Sequence, residues 1–103
     1  MFKLCYFVPE DYAEVTKTAI FAAGGGKIGD YDCCAWQTVG QGQFRPLEGS
    51  QPFLGQQGAV ERVTECRVEM VCQNNLIRPA LAALKHSHPY EEPAYEVYRL
   101  EDF

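Results

Sequence analysis

The sequence predicts an α+β domain in which one antiparallel sheet of four strands carries two helices on a single face. Three observations point there. Strand-like and helix-like segments follow one another in the order strand, helix, strand, strand, helix, strand. Residues 63–72 alternate between two faces, one largely apolar and one carrying charges between two valines. A corner clamped by prolines, His88-Pro89-Tyr90-Glu91-Glu92-Pro93-Ala94-Tyr95-Glu96, separates the last helix from the last strand.

The first strand spans Phe2 to Val8, rich in aromatic and apolar side chains and bounded by Pro9. A helix follows from Pro9 or Glu10 to Ala23. Tyr12, Val15, Ala19 and Ala22 fall at helical spacing on the face expected to lie close to the sheet, Glu10 and Asp11 favour the positive end of the helix, and Gly24 stops it. The second strand begins near Asp32 and passes Trp36 to Val39, with Gly40 and Gly42 marking a bend or bulge before a short Gln43-Phe44-Arg45 extension. Residues 46–59 form an irregular loop. In the third strand, Val60 to Gln73, Thr64, Cys66, Val68, Met70 and Cys72 share one face, and Val63, Glu65, Arg67, Glu69 and Val71 the other. The second helix runs from Asn75 to Lys85, with Asn74 or Asn75 as its cap, Pro79 in its first turn and Ile77, Ala80, Leu81 and Leu84 as its apolar stripe. Tyr95 to Leu100 closes the sheet. This order is the ferredoxin-like split βαβ arrangement.

Prolines at 89 and 93 hold φ near −65° and push His88 and Glu92 toward extended backbone. The corner therefore holds an imidazole, a phenol and carboxylates in place. With a helix before it and a strand after it, it resembles the histidine-proline-tyrosine-glutamate turn of the CutA proteins. A wider likeness runs through Gly24-Gly25-Gly26-Lys27-Ile28-Gly29-Asp30-Tyr31-Asp32-Cys33-Cys34, Gly40-Gln41-Gly42-Gln43-Phe44-Arg45-Pro46 and Glu65-Cys66-Arg67-Val68-Glu69. These stretches resemble the PII/CutA-like domain inserted in many Nif-three-like proteins. The resemblance implies the PII/CutA-like fold and a homotrimer. It also implies that the dinuclear metal site of full-length relatives belongs to flanking halves that nothing here resembles.

At 103 residues the chain is expected to be one domain, 1–103, burying roughly two-thirds of its unfolded surface. A net charge of −5, with nine Lys and Arg scattered singly, offers no basic stripe for phosphates, so nucleic acid is not an expected partner. No stretch approaches the roughly 20 apolar residues that span a bilayer, and the first apolar run ends at Val8; a cytoplasmic protein without a membrane partner is expected. The five cysteines, Cys5, Cys33, Cys34, Cys66 and Cys72, are odd in number and lack a Cys-x-x-Cys spacing. They read as reduced thiols, with Cys33 and Cys34 on opposite faces of a strand.

Catalytic motifs fail on context. The Gly24–Gly29 run follows a helix and precedes a strand, the reverse of a phosphate loop, and reads as a helix stop and turn. No Gly-x-Ser-x-Gly or His-Glu-x-x-His occurs. His86 at the end of a helix suits a cation favoured by the helix dipole. His88, with Glu91, Glu92 or a carboxylate of a partner subunit, offers nitrogen and oxygen donors that suit a divalent ion such as zinc or copper, or else it pins the corner together with Tyr90. Glu65, Arg67 and Glu69 on the charged face either stay solvated or, by the family resemblance, line a trimer interface.

By analogy with PII-like proteins, the long loop after the second strand forms a recognition surface, with Trp36 at its base, Phe44 and Phe53 in it, and Lys27 or Arg45 supplying positive charge. The alternative is a surface loop whose phenylalanines fill a satellite core. The expected function is a non-enzymatic regulatory or scaffolding module that binds a small ligand, a metal ion or a protein partner. The competing readings are a metal-dependent relative of a hydrolase and a copper- or zinc-tolerance protein.

Overall fold

In the computed structural model of residues 1–103, β1 (Phe2–Pro9) leads through a 3-10 turn, Glu10–Tyr12, into α1 (Ala13–Ala22). β2 (Trp36–Phe44) and β3 (Glu61–Cys72) follow, then a second 3-10 turn, α2 (Ile77–Ser87) and β4 (Tyr95–Arg99). The sheet is antiparallel throughout, in the order β2-β3-β1-β4. This is the ferredoxin-like α+β arrangement that the pattern predicts.

The core lies between the helices and the two central strands. Leu4, Tyr6 and Val8 of β1 and Cys66, Val68, Met70 and Cys72 of β3 all point to the helix side, as the period of two requires, and meet Ile20, Ala80 and Leu84. The inward face of α1 differs from expectation. Ala13, Thr16 and Ile20 are buried, whereas Val15 is half exposed. The reason is that Thr16 enters the core as a satisfied polar group: its hydroxyl donates to the carbonyls of Tyr12 (2.8 Å) and Ala13 (3.0 Å) and bonds the Tyr6 hydroxyl at 2.9 Å. Burial pushes the Tyr6 phenol up to about 12.

Gly24 stops α1 as predicted. Its own N–H bonds Phe21 O at 3.0 Å, and its φ of +104° turns the chain so that the Gly25 N–H reaches Ile20 O at 3.0 Å, closing two carbonyls of the last turn. Pro79 is the third residue of α2, where an N–H is not needed. No asparagine caps that helix; Leu76 occupies the N-cap without a side-chain hydrogen bond.

Two further expectations are corrected. The second strand starts at Trp36, not Asp32, because residues 26–34 are held by other contacts: the Gly26 N–H bonds Val71 O, Ile28 pairs with Tyr31, and Cys33 adopts φ of +55°. Cys33 and Cys34 therefore sit on a turn and not on a strand. Gly40 and Gly42 mark no bend; they pair in regular register with Glu65 and Val63.

β1 covers β3 only from Glu65 to Cys72, while β2 pairs with β3 out to Glu61. The far end of the β2–β3 hairpin thus overhangs the sheet. The chain is accordingly elongated, 46 × 24 × 24 Å, with a radius of gyration of 14.5 Å against about 13 Å for a compact domain of this length.

Candidate recognition cleft

The overhanging hairpin end, the 46–59 loop and the proline-clamped corner meet around Tyr90. Its ring lies 5.6 Å from Phe44 of β2 and 6.4 Å from Phe53 of the loop, and Phe53 packs edge-on to Tyr12 at 5.6 Å. The Tyr90 hydroxyl donates to Glu65 Oε2 at 3.1 Å. Burial first, and then the negative charge of Glu65, push the Tyr90 phenol well above its ordinary value, so it stays a donor at neutral pH. Gly42 makes room for this pair, because a Cβ there would overlap the Glu65 carboxylate. That is the structural use of the glycine, in place of the bend expected of it.

The loop is tied down. The Gln51 N–H donates to Glu91 Oε1 at 2.9 Å, the Gly58 N–H to Pro46 O at 2.8 Å, and the Ser50 hydroxyl to Leu47 O at 2.6 Å. Between loop and corner lies a cleft of about 390 Å³ walled by Phe7, Phe44, Phe53 and Tyr90 and by the rings of Pro46 and Pro52. Arg45, Glu65, Glu91 and Glu92 also line it. Of the expected recognition residues, Phe44, Arg45 and Phe53 are brought together here, and the phenylalanines at the same time form a small satellite cluster.

Trp36 and Lys27 lie elsewhere. Trp36 is at the opposite end of β2, eight residues or roughly 26 Å from Phe44 at strand rise, where it flanks Ile28, Lys3 and Glu69. Lys27 sits on the turn with Asp30 and Asp32. The expected grouping failed because β2 runs straight through Gly40 and Gly42, which separates its ends.

His88 is 6% exposed, and both of its ring nitrogens are engaged. Nε2 bonds the Phe7 carbonyl at 2.7 Å, and Nδ1 lies 3.1 Å from the Tyr90 N–H. A carbonyl can only accept and an N–H can only donate, so the ring is the neutral tautomer with its proton on Nε2. Burial lowers the His88 pKa, and the Phe7 carbonyl opposes this only in part. The expected set of His88, Glu91 and Glu92 is thereby corrected. His88 has no free lone pair, Glu91 is turned to Gln51, and no group of three His, Cys, Asp or Glu side chains is arranged to hold a metal ion. The alternative, in which His88 and Tyr90 pin the corner, describes what the chain does.

Glu65, Arg67 and Glu69 share the open face of β3, as predicted. Glu69 bonds Lys3 at 3.2 Å and Arg67 at 3.7 Å within the chain, while Glu65 belongs to the cleft. All five thiols are free: Cys5, Cys66 and Cys72 are buried, with burial raising each thiol pKa, and Cys33 and Cys34 are accessible. Sequence reasoning missed Phe7 and the central place of Tyr90. The available signal was an aromatic residue held between two prolines, a position with little freedom to turn away.

No known protein-family profile matches the chain. Individual proteins do. It is 44% identical over 98 residues to the GTP cyclohydrolase 1 type 2 homolog of Mycobacterium tuberculosis and 42% identical over 99 residues to that of Bacillus subtilis. These matches cover 95% and 96% of the chain but 26% of each relative, so the chain spans about a quarter of their length. A Bacillus cereus protein related to NIF3 superimposes with a TM-score of 0.84 at 40% identity, over 98% of this chain and 26% of that one. The chain belongs to the Nif-three-like (NIF3-related) family. CutA1 from Pyrococcus horikoshii shares the fold, with a TM-score of 0.71 at 16% identity over the whole chain and 86% of its own. No helix of this Nif-three-like chain is long and apolar enough to cross a membrane.

Proposed function

We propose that this domain is a non-enzymatic binding module, with the cleft between the 46–59 loop and the corner as its recognition surface. The observation that carries this reading is convergence at one place: a tethered loop, a rigid corner and a hairpin end enclose an aromatic-walled cleft with a few charged groups. The His88 imidazole, the one side chain of the corner suited to proton transfer near neutral pH, is committed to holding the backbone. In a longer protein such as the GTP cyclohydrolase 1 type 2 homologs, the module would supply recognition beside chemistry carried elsewhere.

Assembly into a homotrimer is part of the proposal. The open sheet face leaves Trp36 and Tyr98 exposed beside the charged row of Glu65, Arg67 and Glu69, and the free edges of β2 and β4 leave Val39 and Val97 exposed on the helix side. Apolar side chains on unpaired edge strands favour a partner surface. Native mass spectrometry of the purified domain tests both points: three chains and an added mass for a bound molecule are expected. A bare monomer would overturn the assembly, and metal-stimulated GTP turnover by the isolated domain would overturn the non-enzymatic reading.

A further inference from the structure

We infer that the cleft takes a small organic cation, an ammonium or guanidinium group on an apolar body; this deepens the reading of the cleft as a binding site and rests on it. Two independent properties of the lining converge on that chemistry. The first is the wall of π faces. Phe44 and Phe53 stand 5.6 and 6.4 Å from Tyr90 around a space of about 390 Å³, near the lower end of the volumes that hold small molecules. Aromatic faces attract cations and offer nothing comparable to anions.

The second property is charge. Three carboxylates, Glu65, Glu91 and Glu92, face one guanidinium, Arg45, and none of the four takes part in the three ion pairs of the chain. Glu65 accepts from the Tyr90 hydroxyl and Glu91 from the Gln51 amide, each through one carboxylate oxygen, which leaves acceptor capacity on both. Glu92 accepts no hydrogen bond at all and is exposed. A cation entering the cleft meets unpaired acceptors beside aromatic faces. A nucleotide or other polyanion would meet an excess of like charge, which favours a different ligand class from the one the relatives' name suggests.

The probes are phenethylammonium, the neutral 2-phenylethanol of the same size, and the anion phenylacetate, each titrated into the isotope-labelled full chain and followed by amide shifts. Shifts are expected at residues 44–53 and 90–94, with the ammonium binding about fivefold or more tighter than the alcohol and phenylacetate weakest. Glu92→Gln, at an exposed side chain with no partner to lose, reduces that preference while leaving the urea midpoint unchanged. Phe53→Leu weakens the ammonium more than the alcohol. Equal binding of ammonium and alcohol overturns the cation assignment and leaves the cleft as a binding site. Binding of none of the three also overturns it, and the native mass spectrum then decides the broader reading separately.

Discussion

Replacing His88 with Leu separates the two roles that histidine has in this corner. The side chain bonds the Phe7 carbonyl on β1 and accepts the Tyr90 N–H, so it joins the corner to a strand 81 positions away in sequence. Leu fills the space but leaves both backbone groups without their partner. Two hydrogen bonds at about 1 kcal/mol net each, rising when a buried group stays unsatisfied, give a loss of roughly 2–4 kcal/mol. With a urea m-value of about 1–3 kcal/mol/M, the midpoint should fall by roughly 0.7–4 M. That is a large share of the stability of a small domain.

The same geometry sets a pH dependence. The His88 pKa is lowered on folding, so near its ordinary value of 6.5 the unfolded chain binds more protons than the folded one, and stability rises with pH there. The His88 contribution to stability is therefore fully present above pH 6.5 and is lost as the pH falls from there toward the lowered folded-state pKa. Urea melts at a series of pH values check both statements, and His88→Leu should remove this part of the slope. An unchanged midpoint in His88→Leu, together with loss of zinc binding in equilibrium dialysis, would refute the structural role and restore the ligand role.

Thr16→Val strands the buried Tyr6 hydroxyl and should cost about 1–3 kcal/mol in urea melts, and adding Tyr6→Phe to it should recover part of the loss. Gly42→Ala displaces the Glu65 carboxylate and breaks its bond with Tyr90, so amide exchange at Gln51 and Gly58 should quicken while the core strands keep their protection. A colorimetric thiol reagent should find five free thiols in denaturant and two fast ones, Cys33 and Cys34, in the native protein; fewer than five after fresh reduction would count against a reduced chain.

Local chemistry made much of this fold readable. The charged and apolar faces of residues 60–73, the Gly24 stop, the position of Pro79 and the proline-held corner each depend on neighbours a few residues away, and each is found in the structure. The inward face of α1 was misread because Thr16 counts as polar until Tyr6 is seen beside it. The course of β2 was misread because glycine signals a bend by itself, whereas here Gly42 makes room for a side chain on the next strand.

The cleft lies beyond such rules. Its contacts join Glu65 to Tyr90, Gln51 to Glu91 and His88 to Phe7, across 25, 40 and 81 positions. The sequence alone placed a rigid corner with one imidazole and several carboxylates next to a long loop. Whether that imidazole faced a metal or a carbonyl depended on where β1 passed, and which aromatics met Tyr90 depended on how far the hairpin overhung the sheet. Pairing between distant segments follows from burying one common core, so the roles of these side chains were settled only when the strands came together.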